Sequence, residues 1–335
     1  EIKEKVNNSD EWEPILPLYH STSNAQIQVT IFSDGTFSHA EVVDADDAKT
    51  IIPVTEDSSS RSSGIAPHPL CDKLIYISGD YSTYVAKAKS NADEYFVTYI
   101  KALKAWAESE YSDICITAIY DYLSKRMLIN DLIGDGILKL KDAVLDEEYK
   151  ITKSAKQIDS FVRFVVNDLD SGENIKVWKS KALFDKYIAY YESLGKERDC
   201  QLCYASGKIV PVTYKHMARI RNSGDSAKLI SSNDESNFTY RGRFANREEA
   251  FAVGEIVSQK AHLALKWLIK TGGISVGDEK YVAWESCLNE IPNVFGRIVL
   301  DESENSGSFV KDKDDKVYAK TAEQYKNIIE MAIKG

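Results

Sequence analysis

Three groups of residues have types and spacings that could do chemistry. Cys200-x-x-Cys203 sets two thiols at the spacing that lets a thiolate pair share one Zn²⁺. A structural zinc needs four ligands, no second C-x-x-C exists, and His216 as a third ligand leaves the set incomplete. Packed or free thiols are therefore expected at Cys200 and Cys203, with no cofactor. His68, Cys71 and Asp72 hold the residue types of a Cys-His nucleophile. Such dyads are assembled from separate elements, and residues this close in sequence seldom align for it. The chain has no Walker A or H-E-x-x-H pattern, so a non-catalytic protein is expected. The enzymatic alternative is a cytoplasmic hydrolase or transferase using His68 and the serine-rich loop before it.

The third group is cationic. Between Thr55 and Tyr81, TEDSSSRSSGIAPHPLCDKLIYISGDY opens as a serine-rich loop around Arg61, Ser62, Ser63 and Gly64, whose hydroxyls, N–H groups and guanidinium suit phosphate oxygens or base edges. Pro67 and Pro69 then fix φ on either side of His68 and exclude a helix, and Leu74–Ile77 reads as a short buried strand ending at Gly79. A stiff loop feeding a strand presents recognition groups from a rigid scaffold. The net charge is −10, which for the whole chain argues against a nucleic-acid partner. Its distribution does not. Residues 1–57 carry three lysines against twelve acids, whereas residues 206–247 carry eight Lys or Arg against three acids. That second stretch includes Lys208, Lys215, Arg219, Arg221, Arg241, Arg243 and Arg247, all candidates for holding phosphate. The acidic start offers a further alternative, an adaptor that binds protein alone.

The elements that position these groups follow from periodicity. Ile27, Val29 and Ile31 alternate with polar residues before Asp34-Gly35, a hairpin signal. Asn91 with Glu94 begins a helix carrying Phe96, Ile100, Leu103 and Ala107 on one face, where Tyr95, Tyr99 and Trp106 are expected to pack as core. Ile114 to Leu128 reads as a second helix, and Val162, Phe164 and Val166 as a strand with a turn at Asp170–Gly172. Ser180 caps a helix that Gly195 follows; Asn246 and Glu249 open a long helix closed at Gly272-Gly273, and Tyr281–Trp284 is a short strand. These imply an α+β fold of mixed sheets with packed helices, compatible with a ferredoxin-like layer, and a loop-rich basic insertion. The expected domains are 1–195 with the recognition loop, 196–300 with the basic region and long helix, and 301–335 as a charged linker and the start of a helical part. Hydrophobic residues make up 43% of the chain, enough for a core. No apolar run approaches the ~20 residues of a membrane helix, and the five cysteines are too few and too odd for a disulfide framework, so a cytoplasmic protein is expected.

The run RSSGIAPHPLCDKLIYISGDY resembles a segment near the start of the large subunit of the type I-C CRISPR surveillance complex, Cascade. ILPLYHSTSNAQIQVTIFSDGTFSHAEVV upstream, and SFVRFVVNDLDSGENIKVW, CQLCYASGK and KLISSN downstream, fall in the same order, so the resemblance spans nearly the whole chain. It rests on order rather than on any catalytic signature. It implies a non-catalytic subunit that recognises the motif flanking a DNA target (PAM), stabilises the R-loop while guide RNA reads the sequence, and docks a helicase-nuclease. Its partners would be guide RNA, double-stranded DNA, and the handle-binding, backbone and small helical subunits. On this reading Arg61, Ser62, Ser63, Gly64, Asp72 and Lys73 meet the flanking duplex. Many relatives have Asp-Asn where this chain has Asp72-Lys73, which points to a phosphate contact at position 73. Family members continue into a largely helical C-terminal part, so the chain is expected to be a fragment.

Overall fold

A computed structural model describes residues 15–59, 61, 64–86, 88–153, 155–195, 200–221, 229–230, 252–276, 279–282 and 284. The described residues group into two compact units. The larger includes Leu16–Arg219 and the start of the last long helix as far as Ala261; the smaller includes that helix from His262.

In the larger unit, β1 (His20–Asn24) pairs antiparallel with β4 (Lys49–Pro53), and β2 (Ile27–Phe32) forms a hairpin with β3 (Phe37–Val42). β7 (Val162–Asn167) lies parallel to β2, with Ile27 opposite Val162, Val29 opposite Phe164 and Ile31 opposite Val166. β8 (Asn174–Lys176) closes the other edge, giving the order β3-β2-β7-β8. This is the expected α+β architecture. Each edge strand joins its central neighbour through a hairpin, so the connectivity differs from the β-α-β-β-α-β path of a ferredoxin-like layer.

Both faces of the two central strands are buried. Gln28, Thr30 and Arg163, on the polar face, are 8, 4 and 2% exposed. Burying a guanidinium requires partners for its N–H groups. Arg163 donates to Gln28 Oε1 at 3.0 Å, to the Asp47 backbone oxygen at 2.6 Å and to Asp47 Oδ2 at 2.5 Å, and stacks 3.9 Å over the Trp178 ring. Arg163 is thus satisfied by Gln28 and Asp47 and roofed by an indole.

Short helical turns α1 (Glu56–Ser59), α2 (Leu74–Ile77) and α3 (Tyr81–Tyr84) precede α4 (Ala92–Ala107), α5 (Ile114–Ser124) and α6 (Leu128–Gly134). Tyr95, Tyr99 and Trp106 are buried core residues, as their helical spacing suggests. Three expectations need correction. Leu74–Ile77 is helical, not a strand: Ser78 N–H closes on the Leu74 carbonyl, and the four apolar residues pack against α4. A run this short fits either state by pattern. The helix expected over residues 114–128 breaks after Ser124, where Arg126 takes φ 57° and redirects the chain so that Leu128, Ile129 and Leu132 become buried in α6. Asn91 does precede α4, but its side chain makes no capping bond.

One small ladder, β5 (Leu140–Lys141) with β6 (Val144–Leu145), lies between α6 and β7. After β8, α7 (Lys181–Leu194) starts where Ser180 Oγ accepts the Leu183 N–H. The basic region then forms β9 (Cys200–Leu202) and β10 (Ile209–Thr213), joined by a turn at Gly207 and flanked by β11 (Val253–Gly254). Because Val253 and Gly254 pair with Thr213 and Val212, the long helix α8 (Glu255–Gly272) begins at Glu255 rather than near Asn246; its end is where the glycines placed it. β12 (Ile274–Val276) pairs with β13 (Glu279–Tyr281), slightly earlier than the strand expected at 281–284. The acidic residues 1–14, Cys287, the 301–320 linker and the expected helix at 321–334 lie outside the described residues. No described helix is long and apolar enough to cross a membrane.

The β2–β3 turn shows how tightly the sheet meets its helices. Gly35 has φ 75°, and a Cβ there would lie 2.9 Å from Asp121 Cβ and 3.2 Å from the Ala118 carbonyl on α5. Gly35→Ala is expected to lower stability by about 1–3 kcal/mol through a left-handed conformation plus that clash. Urea unfolding checks this, and an unchanged midpoint would mean the turn is not held against α5.

Candidate nucleic-acid interface

The 55–81 segment is organised by one carboxylate. Asp72 is fully buried, and its two oxygens accept four hydrogen bonds. Arg61 donates to both, Nη1 to Oδ2 at 2.7 Å and Nη2 to Oδ1 at 2.6 Å. The His68 N–H donates to Oδ2 and the Lys73 N–H to Oδ1, each at 2.7 Å. Bidentate Arg–carboxylate geometry is the strong form of such a pair. Arg61 also donates to the Ala66 carbonyl at 2.9 Å and lies 4.4 Å over the Tyr76 ring. A buried charge pair is tolerated when its remaining hydrogen-bonding capacity is met, and here the donors come from the loop itself. One side chain therefore clips Arg61 to His68 and Lys73 and draws the described residues between them into an arch.

The arch is tied to the scaffold at its far end. Val162 N–H donates to the Asp72 carbonyl, Leu74 N–H to the Ser160 carbonyl, and Lys73 bridges Phe161, so the segment lies across the entry to β7. Tyr99 on α4 donates to the Leu70 carbonyl at 2.8 Å. At the near end, Glu56 on α1 accepts from Thr213 Oγ1 at 2.5 Å and from the Lys215 N–H at 3.2 Å, and Lys215 pairs with Asp57 at 2.5 Å. The basic region thus begins against the start of the loop. The charge of Arg219 also reaches His68.

These contacts sort the expected site residues. Arg61 and Asp72 face one another inside the arch. Gly64 is exposed with φ 80°, and no atom lies within 4 Å of where a Cβ would sit. Lys73 is exposed and, among the described residues, makes no ion pair. Ser62, Ser63, Arg241, Arg243 and Arg247 lie outside the described residues. Lys215 comes to the loop through Glu56 and Asp57, Arg219 bears on it only through its charge at His68, and Lys208 is exposed at the β9–β10 turn. Arg221 is exposed in the smaller unit.

The thiol and imidazole groups are not arranged as a nucleophilic pair. Burial pushes the Cys71 thiol up to about 12 and the His68 imidazole down to about 4, so both are neutral near pH 7, the opposite of an activated thiolate–imidazolium. His68 Nδ1 is shielded and has no hydrogen-bond partner. At the C-x-x-C, Cys200 is exposed and Cys203 buried. Burial raises the Cys203 pKa, but the Ser206 hydroxyl and the N–H groups of Gly254, Ser206 and Ala205 outweigh it and bring the thiol to about 7. His216 Nδ1 instead meets Ser258 Oγ at 2.8 Å, and among the described residues no group of three ligands could hold a metal.

Sequence reasoning missed a cavity of about 470 Å³ beside the arch. Arg61, Gly64 and Lys73 line it together with Lys89, Tyr95, Glu147 and Asp159, among others. Its wall is drawn from segments as far apart as Arg61 and Asp159, with no local motif to mark them.

A family model described as CRISPR-associated protein (Cas_Csd1) matches residues 1–334. No curated protein matches the chain.

Removing Asp72 would leave the Arg61 charge without its partner and two loop N–H groups without acceptors. Asp72→Ala is expected to cost about 3–5 kcal/mol in chemical denaturation. A loss below about 1 kcal/mol would rank the pair with ordinary surface ion pairs.

Proposed function

From the premise that the chain belongs to the Cas_Csd1 family of CRISPR-associated proteins, the large-subunit family of type I-C Cascade, we propose that its 55–81 arch recognises the motif flanking the DNA target. On this reading Gly64, with Ser62 and Ser63, approaches base edges, and Lys73, Lys215 and Arg219 hold backbone phosphate. Arg61 and Asp72 serve the contact indirectly by fixing the arch. Lys208, Arg221, Arg241, Arg243 and Arg247 extend the phosphate contacts along the displaced strands and so help hold the R-loop open, while guide RNA pairing reads the target. The non-catalytic role, the guide RNA and other Cascade subunits as partners, and docking of a helicase-nuclease belong to the same proposal.

The observation that carries this reading is the meeting of a loop clipped by a buried ion pair with Lys215, a cation from a distant stretch of sequence. Base readout requires groups held in register before the duplex arrives, because ordering a loop on binding costs affinity. An arch closed by a buried bidentate pair meets that requirement. Lys215 does not contradict it: its pair with Asp57 is solvent-exposed and worth little, so a phosphate can displace it.

The test is to assemble the full chain with guide RNA and the other subunits, then titrate duplexes differing only in the flanking trinucleotide. Affinity is expected to depend on the flank and to fall steeply with salt. Arg219→Ala should weaken every flank alike and lower the salt slope by about 1. Binding blind to the flank in the unmodified complex would refute the proposal.

A further inference from the structure

The cavity beside the arch carries charges of both signs. Two of its rings, Tyr76 and Tyr95, meet with centroids 4.9 Å apart. Each has a cation over it, Arg61 at 4.4 Å and Lys89 at 5.2 Å, and Lys89 Nζ donates to Tyr95 Oη at 3.2 Å. A third ring, Tyr81, feels acidic charge instead: burial, joined by Asp159 and Glu147, pushes its phenol up to about 12. Asp72 answers the charge of Arg61, but among the described residues Lys73, Lys89, Glu147 and Asp159 make no ion pair.

Two lysines and two carboxylates that share a wall without pairing suit a ligand with an anionic oxygen at one end and N–H donors at the other. A nucleotide has that form. Its phosphate matches an ammonium, and the exocyclic amine of cytosine, adenine or guanine matches a carboxylate, whereas thymine has no such amine. The volume, about 470 Å³, lies within the usual range of small-ligand pockets. The tyrosines add apolar wall against which a base can rest.

We infer that this cavity holds one unstacked, amine-bearing nucleotide of the displaced DNA strand, its phosphate at Lys89, beside the Lys73 that meets the flanking duplex, and its base edge at Glu147 and Asp159. The inference rests on the function proposed above and adds a second point of selection beside the flank. Lifting a base from a duplex costs unstacking energy, and a strand already displaced by guide RNA has largely met that cost.

The experiment uses the same full complex with target duplexes carrying a single abasic site, moved one position at a time along the displaced strand away from the flank. One position is expected to show about a tenfold loss of affinity, as should thymine in place of cytosine there. Glu147→Ala combined with Asp159→Ala should make binding indifferent to that abasic site while flank discrimination persists. Intact flank discrimination with no sensitive position, or with a penalty that survives the double substitution, would overturn the cavity assignment and leave the proposed function standing. A complex blind to the flank would overturn both.

Discussion

Four hydrogen bonds to the buried Asp72 carboxylate determine what the rest of this surface can do. A carboxylate without water is costly unless every lone pair finds a donor. Here the donors are a guanidinium eleven positions earlier and two N–H groups of the loop between and beside them. The requirement for mutual satisfaction therefore draws Arg61, His68 and Lys73 together around Asp72. Through the Asp72 and Leu74 backbone, that path is also joined to the first residues of β7 and hence to the central sheet. The exposed groups at Gly64 and Lys73 take their places from this buried interaction.

The sheet uses a similar solution on its polar face, where Arg163, Gln28 and Asp47 satisfy one another beneath Trp178. In both places a guanidinium is held by a carboxylate and an aromatic ring, the arrangement its planar fork favours. The difference lies in what surrounds it. Arg163 lies within a sheet, whereas Arg61 closes a loop beside a cavity whose Lys73, Lys89, Glu147 and Asp159 make no ion pair among the described residues. That contrast directs attention to the arch as the working surface of a Cas_Csd1 family member.

Much of the fold was legible in the sequence because its signals were local. Asp34-Gly35 marked the hairpin, Ser180 the start of α7, and the alternation of Val162, Phe164 and Val166 the strand beside β2. Local pattern failed where a distant partner decided the outcome. Leu74–Ile77 became a helical turn under α4, and α8 was shortened by the pairing of Val253 and Gly254 with β10. The site was legible only in part for the same reason. Serine, glycine and arginine marked the loop, but nothing near Asp72 in sequence announces that its carboxylate is used internally. The link from Glu56 to Thr213 spans 157 residues and has no sequence signature. Lys89, Glu147 and Asp159 were likewise unremarkable until the fold set them on one wall.

The central claim is that Asp72 immobilises the arch, and amide hydrogen exchange tests it most directly. Among its acceptors' partners, the His68 and Lys73 N–H groups report the clip itself. In the unmodified protein both should exchange slowly, and Arg61→Ala should speed both together while the amides of β2 and β7 stay protected. Exchange of His68 and Lys73 at the rate of an open chain in the unmodified protein would contradict the account, because the carboxylate would then be holding nothing in place.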